Sequence, residues 1–153
     1  IVTKTPKAEA KEFIERYFEK YSTIHALQER FLEQARKEGY SETLFGRRRY
    51  LPDINAKGLL KRMAEGAAIN TPIQGSAAEI IKLAMIAVEN LLLEKKMHSR
   101  MILTVHDELV FDALKDEENQ LCEIVKHAME NVVGLEVPLL VEIGKGQTWL
   151  EAH

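Results

Sequence analysis

The succession of periodicities along this chain predicts an α+β fold with an antiparallel sheet. Three observations carry the prediction. Apolar residues recur at helical spacing in the segments 6–38, 57–96 and 116–133. Two pairs of short β-rich runs flank turn residues, around Gly46 and around 106–108, as in hairpins. A length of 153 residues and a hydrophobic content of 46% suit one compact domain, or one subdomain of something larger, with a real core.

The elements follow in order. Pro6 is well placed at the start of a helix over 6–20, with Thr5 as its N-cap. Phe13, Tyr17 and Phe18 share one face of it. Ser22 can cap a second helix, whose stripe is Ile24, Leu27, Phe31, Leu32 and Ala35 and whose end is Gly39. Residues 40–53 read as a hairpin, with Thr43–Phe45 and Tyr50–Leu51 about a turn at Gly46. A short basic helix covers 57–68. Thr71 and Pro72 then supply an N-cap and first-turn pair for a long helix reaching about Lys96. Its stripe of Ile73, Ala77, Ile80, Ile81, Ala84, Val88, Leu91 and Leu92 is broad, which predicts burial on more than one side. Met101–Val105 and Leu109–Phe111 form a second hairpin. Asp116 begins another amphipathic helix that ends at Gly134, Pro138–Ile143 reads as a last strand, and a polar tail runs through Trp149.

The formal net charge of -3 does not mark a nucleic-acid binder in bulk. The charge is uneven, however. Basic residues cluster at Arg47–Arg49, at Lys57, Lys61 and Arg62, and at Lys95, Lys96 and Arg100. Such clusters are either solvated faces or a surface offered to phosphate. Cys122 is the single cysteine, which excludes an internal disulfide and a cysteine-based zinc site; a small buried thiol is the ordinary reading. No signal peptide is visible and no apolar run approaches the roughly 20 residues of a membrane span. These features predict an intracellular, cytoplasmic, reducing location. The first residue is Ile1 rather than Met, so the chain looks cut or processed at its N-terminus.

The most informative residues are Asp107 and Glu108, set between the two runs of the second hairpin. Adjacent carboxylates at a sheet turn repel. A bound divalent cation removes that cost, whereas a solvated turn is the plain alternative. Plain readings exist for the neighbours as well. Gln74 is a polar residue of a first helical turn, Asn70 a cap or turn residue, and His106 a strand-end histidine. His25, His98 and His127 form no ligand pattern.

Four stretches together resemble one family. Val-His-Asp-Glu at 105–108 is similar to the third palm motif of family A DNA polymerases, the bacterial DNA polymerase I type. Thr-Leu-Phe-Gly-Arg-Arg-Arg-Tyr-Leu-Pro-Asp at 43–53 is similar to the stretch after that family's fingers helices. Residues 68–82, from Ala-Ile-Asn-Thr-Pro-Ile-Gln-Gly onward, resemble its long palm helix, and Trp149–His153 resembles its C-terminus. The order and spacing match over about residues 7–153.

The resemblance implies an antiparallel palm sheet, made of the acidic hairpin and the C-terminal strand, packed on long helices. It divides the chain into fingers-derived helices and a basic hairpin at 1–56 and a palm portion at 57–153. It implies template-directed addition of deoxynucleotides to a primer 3′ end, in DNA replication and repair, with two Mg²⁺ ions. Asp107 is then a metal-binding aspartate and Glu108 a secondary carboxylate near the primer terminus. Asn70, Gln74 and His106 face the minor groove of the primer-template, where acceptors are common to all correct pairs. Arg47, Arg48, Arg49, Lys61 and Arg62 lie toward phosphates. The implied partners are primer-template DNA, deoxynucleoside triphosphates and a companion chain carrying what is missing.

What is missing is specific. Two-metal chemistry needs a second aspartate from another strand, which the family carries in an Asp-Tyr-Ser-Gln-like motif. None of Asp53, Asp107, Asp112 and Asp116 sits in such a context. The helix that grips the incoming triphosphate has no counterpart either. Where the family reads Ala-Glu-Arg, this chain has Ala64-Glu65-Gly66, a glycine in mid-helix at a typical cost of ~1 kcal/mol. The expectation is therefore a polymerase portion that is incomplete alone. The competing expectation is a non-catalytic palm fragment or relic that folds and binds duplex. A phosphohydrolase built on His106-Asp107 is disfavoured, because that class places further histidines around the metal on helices.

Overall fold

The computed structural model describes residues 6–152, the Lys7 side chain excepted, so the expected Thr5 cap and residue 153 lie outside the described residues. The chain is α+β and forms two compact units that divide between Gly75 and Ser76.

In the first unit, α1 (Lys7–Lys20) and α2 (Ser22–Glu38) are separated by Tyr21 alone. Ser22 is thus the first helical residue and not a cap. Tyr21 holds the cap position with no side-chain bond, and its N–H donates to the Tyr17 carbonyl at 2.9 Å. Aromatic contacts link the two helices: the Tyr17 and Tyr21 rings lie 4.9 Å apart, as do those of Phe18 and His25. Phe13, expected beside Tyr17 and Phe18, stays exposed. Gly39 ends α2 in a left-handed conformation (φ 76°), donating its N–H to the Ala35 carbonyl at 2.9 Å.

Strands β1 (Tyr40–Glu42) and β2 (Arg48–Tyr50) pair antiparallel, with Ser41 opposite Arg49 and Glu42 opposite Arg48. The expected strand Thr43–Phe45 is instead the turn. Thr43 closes it by donating its N–H to the Arg47 carbonyl (2.9 Å), accepting the Gly46 N–H on its own carbonyl (3.0 Å) and accepting the Arg47 N–H on Oγ1 (3.1 Å). Gly46 at φ 83° completes the reversal. Local turn chemistry outweighs the β propensity of Thr-Leu-Phe and pushes both strands outward.

Helix α3 (Gly58–Asn70) does not stop before Pro72. It passes into a π turn, Thr71–Gly75, where a new helix with a Thr71 cap was expected. The reason lies in the proline. In an α-helix the Pro72 ring would clash with the Ala68 carbonyl and leave it without its N–H partner. The wider π turn relieves the clash. The orphaned carbonyl accepts a hydrogen bond from the Ser41 hydroxyl of β1 at 2.9 Å, and the Thr71 hydroxyl donates to the Ala67 carbonyl at 2.7 Å. The core of this unit is Leu32 and Ala35 from α2, Leu51 and Ile54 after β2, and Ala64 and Ala68 from α3. The small Ala35 and Ala68 side chains let α2 and α3 approach closely.

The second unit contains α4 (Ser76–Glu94), the hairpin β3 (Arg100–Val105) and β4 (Glu108–Asp112), α5 (Glu118–Glu130) and a short α6 (Trp149–Ala152). Val88 and Leu92 of α4 meet Leu121, Val125 and Ala128 of α5, with Phe111 packed alongside. The hairpin carries a bulge at Ile102: Met101 faces Phe111, yet Leu103 faces Val110. A carboxylate fastens the entry to β3. Glu117 accepts the His98 N–H at 2.9 Å and the Ser99 N–H at 2.7 Å, and the buried Ser99 hydroxyl accepts the Leu114 N–H at 3.0 Å.

The expected strand at Pro138–Ile143 is absent from the described structure. A strand needs an edge to pair with, and this segment makes no ladder. The Val141 N–H goes to Glu130 Oε1 at 3.1 Å instead, and Leu140 is 83% exposed. Among the described residues no helix is long and apolar enough to cross a membrane.

Candidate functional site

The first unit gathers five of the residues singled out by sequence. Arg47, Arg48, Arg49, Asn70 and Gln74 line one cleft of ≈ 230 Å³, together with Thr43, Thr71 and Gly75. Two elements build it. The β1–β2 turn brings the arginine run, and the π turn brings Gln74 and the end of α3. Both turns owe their shape to the hydrogen bonds described above, so the cleft is a product of local chemistry at Thr43 and Pro72.

The arginines differ in their commitments. Arg48 Nε donates to Glu42 Oε2 at 2.7 Å, and its guanidinium lies 4.5 Å from the Tyr40 ring centroid. The hydrogen bond to Glu42 leads the effects that hold its pKa above the ordinary value. Arg48 therefore supplies charge with one face already used. Arg47 is anchored through its backbone to Thr43 on both sides of the turn. Arg49 is exposed opposite Ser41. Lys61 and Arg62 do not line the cleft. Lys61 pairs at 3.8 Å with Glu65, which also accepts Arg36 Nη2 at 2.7 Å. That Arg36 hydrogen bond is the largest cause holding the Glu65 carboxyl below its usual range.

In the second unit the acidic pair is divided. His106 and Asp107 form the two-residue tip of the β3–β4 hairpin, whereas Glu108 is the first residue of β4, opposite Val105. The expectation of both carboxylates at the tip is corrected by this register. His106 has φ 56°. A positive φ at the first turn residue matches a type II′ turn, a position that glycine usually fills. Thr104 Oγ1 donates to the Glu108 carbonyl at 3.0 Å across the neck of the turn. Asp107 is exposed and Glu108 half-buried. Among the described residues, no group of three or more His, Cys, Asp and Glu gathers in a way that could hold a metal. Mg²⁺ is commonly held by one or two carboxylates with waters and substrate phosphates. Asp107, exposed at the tip, offers one such carboxylate.

Sequence reasoning missed Ser41, Thr43, Thr71 and Gly75. One signal was available: a proline in helical sequence deprives the carbonyl four residues before it of its usual donor, which leaves room for a side-chain donor from elsewhere, here Ser41. Nothing in the sequence pointed to the approach of Thr43 to Gly75.

Comparison with known proteins gives a consistent picture. Residues 2–151 match the model of the family described as DNA polymerase family A. The chain is 48% identical over 148 residues to DNA polymerase I of Pseudomonas aeruginosa, covering 96% of this chain and 16% of that protein. It is 49% identical over 148 residues to the thermostable DNA polymerase I of Thermus thermophilus, covering 96% of this chain and 18% of that one. Among solved structures, the POL domain of Pol1 from M. smegmatis, in complex with DNA primer-template and dNTP, superposes with a TM-score of 0.91 at 42% identity. That match covers 98% of this chain and 27% of the solved one. The chain thus spans about a sixth of the length of the curated relatives it matches.

Proposed function

This chain belongs to DNA polymerase family A, and on that premise we propose that it is part of a DNA-directed DNA polymerase, one that supplies duplex-facing groups and one metal-binding carboxylate. The observation that carries the reading is the single cleft shared by Arg47, Arg48, Arg49, Asn70 and Gln74. Cations beside amide side chains suit a duplex whose backbone is anionic and whose minor-groove edge presents acceptors. The arginines neutralise phosphates. The Asn70 and Gln74 amides donate to the purine N3 and pyrimidine O2 acceptors shared by all correct pairs, and His106 does the same from the hairpin tip. Lys61 and Arg62 add charge from α3. Functionally, residues 1–56 are the fingers-derived part and 57–153 the palm part.

Asp107 holds a divalent cation, Mg²⁺ by preference, and Glu108 is the secondary carboxylate beside the primer terminus. Divalent cations supply in-line alignment and charge neutralisation to phosphoryl transfer. The second aspartate comes from a companion chain or from sequence outside these residues, so the chain alone does not extend a primer.

A second reading, a non-catalytic palm fragment that folds and binds duplex, is favoured by the small donor set at 107–108. Two assays separate them. The pure chain should bind primer-template duplex with an affinity that falls as salt rises, with a log–log slope of about -2 to -3 for two or three neutralised phosphates. It should not extend the primer with Mg²⁺ and all four deoxynucleoside triphosphates. Extension by the pure chain, abolished in Asp107→Ala, would refute incompleteness. Restored extension on adding the remainder of a relative's polymerase domain, dependent on Asp107, would exclude the relic.

A further inference from the structure

We propose that Gly75 is a positioning residue of the cleft: its missing side chain admits Thr43, and Thr43 in turn sets the arginine run against Gln74. The inference rests on the duplex-binding reading above. A Cβ at position 75 would lie 2.7 Å from Thr43 Cγ2, a separation that carbon atoms do not adopt without something shifting. Thr43 has little room to yield. It is buried and β-branched, hence stiff about χ1, and three hydrogen bonds of the turn end on it. Two of those bonds join it to the backbone of Arg47. Any displacement of Thr43 therefore passes to the first arginine of the run through a rigid link. On the other side, Gly75 follows Gln74 directly and closes the π turn. The contact between Thr43 and Gly75 is thus where the two turns that build the cleft meet.

A second fastening supports the same junction. The Ser41 hydroxyl, in the strand opposite Arg49, donates to the Ala68 carbonyl left without a donor by Pro72. Gly75 governs how close the hairpin comes, and Ser41 how it is tethered along α3.

The test is a mutant cycle at 43 and 75, read as duplex affinity and its salt slope well below the melting temperature. Gly75→Ala should weaken binding about tenfold and flatten the salt slope by about one unit, as loss of one phosphate contact would. In a Thr43→Ser background, which removes Cγ2 and keeps the hydroxyl, the same change at 75 should alter affinity by less than about twofold. Amide exchange at Arg47 gives a readout independent of DNA: faster in Gly75→Ala, restored in the double variant. A folded Gly75→Ala that binds with unchanged affinity and slope overturns the inference and leaves the duplex-binding reading intact. If the unmodified chain binds no duplex at low salt, that reading falls, and exchange at Arg47 alone decides the positioning. Unchanged exchange then overturns it. Loss of stability with no rescue at Thr43→Ser also overturns it, because a generic structural glycine behaves that way.

Discussion

Gly66 and Gly75 offer the same substitution in two environments of one helical run, and the structure predicts a gain at the first and either no gain or a loss at the second. Gly66 lies in the interior of α3, and among the described residues nothing beyond its own neighbouring helix backbone lies within 4 Å of where its Cβ would be. Alanine there meets open space. The gain is the helix-propensity difference, about 0.8–1 kcal/mol, part of it from a less disordered unfolded chain. At position 75 the same propensity gain is opposed by contact with Thr43 Cγ2 at 2.7 Å, and overpacking of this kind costs about 1–3 kcal/mol. The net effect runs from near zero to a loss of about 2 kcal/mol. Urea unfolding followed by far-ultraviolet circular dichroism measures both. With slopes of about 1–3 kcal/mol/M, Gly66→Ala should raise the midpoint by roughly 0.3–1 M, and Gly75→Ala should leave it unchanged or lower it. A lowered midpoint for Gly66→Ala, or equal shifts for the two, would refute the reasoning.

Other consequences are open to measurement. Ser41→Ala should destabilise by about 1–3 kcal/mol in the same urea titration, because it leaves the Ala68 carbonyl without the donor that Pro72 cannot supply. Val88→Ala, at the fully buried centre of the second core, removes two methyl groups, worth about 1.6 kcal/mol in transfer plus a cavity contribution. Glu117 is held below its usual carboxylate range, chiefly by the His98 N–H and then by the Ser99 hydroxyl and N–H. A depressed folded pKa means stability that is complete above the unfolded value and lost as pH falls through the folded one. Acid melting curves should therefore be shallower for Glu117→Gln than for the parent below about pH 4.5, and parallel curves would disprove the link.

Helix existence was the most legible part of the sequence. The stripes at Leu32 and Ala35 and at Leu121, Val125 and Ala128 are the buried faces observed, because amphipathic period is a local signal that burial reinforces. The acidic hairpin was legible from its β-branched and aromatic runs on either side of a turn, a local signal of another kind. What the sequence hid depends on contacts distant along the chain. Pro72 looks like a helix start until a hydroxyl from Ser41 makes a π turn tolerable. Thr43–Phe45 looks like a strand until the Thr43 side chain closes a turn. Segment 138–143 has the composition of a strand and lacks a pairing edge among the described residues. For the candidate site, residue types at 47–49, 70 and 74 were readable, but their convergence on one cleft required the fold.

The bulge at Ile102 has a consequence for how this hairpin can change over evolutionary time. Side-chain direction in a strand alternates with every residue, and the bulge absorbs one extra residue so that the pairs beyond it stay in step: Met101 lies opposite Phe111 and Leu103 opposite Val110. Deleting Ile102 would give a regular ladder with the same cross-strand pairs and the same faces from Leu103 to Val105. The bulge is therefore a place where β3 can gain or lose one residue while the tip that carries Asp107 keeps its aim. Elsewhere in the strand a single insertion or deletion needs a bulge of its own, or it turns the side chains that follow to the other face.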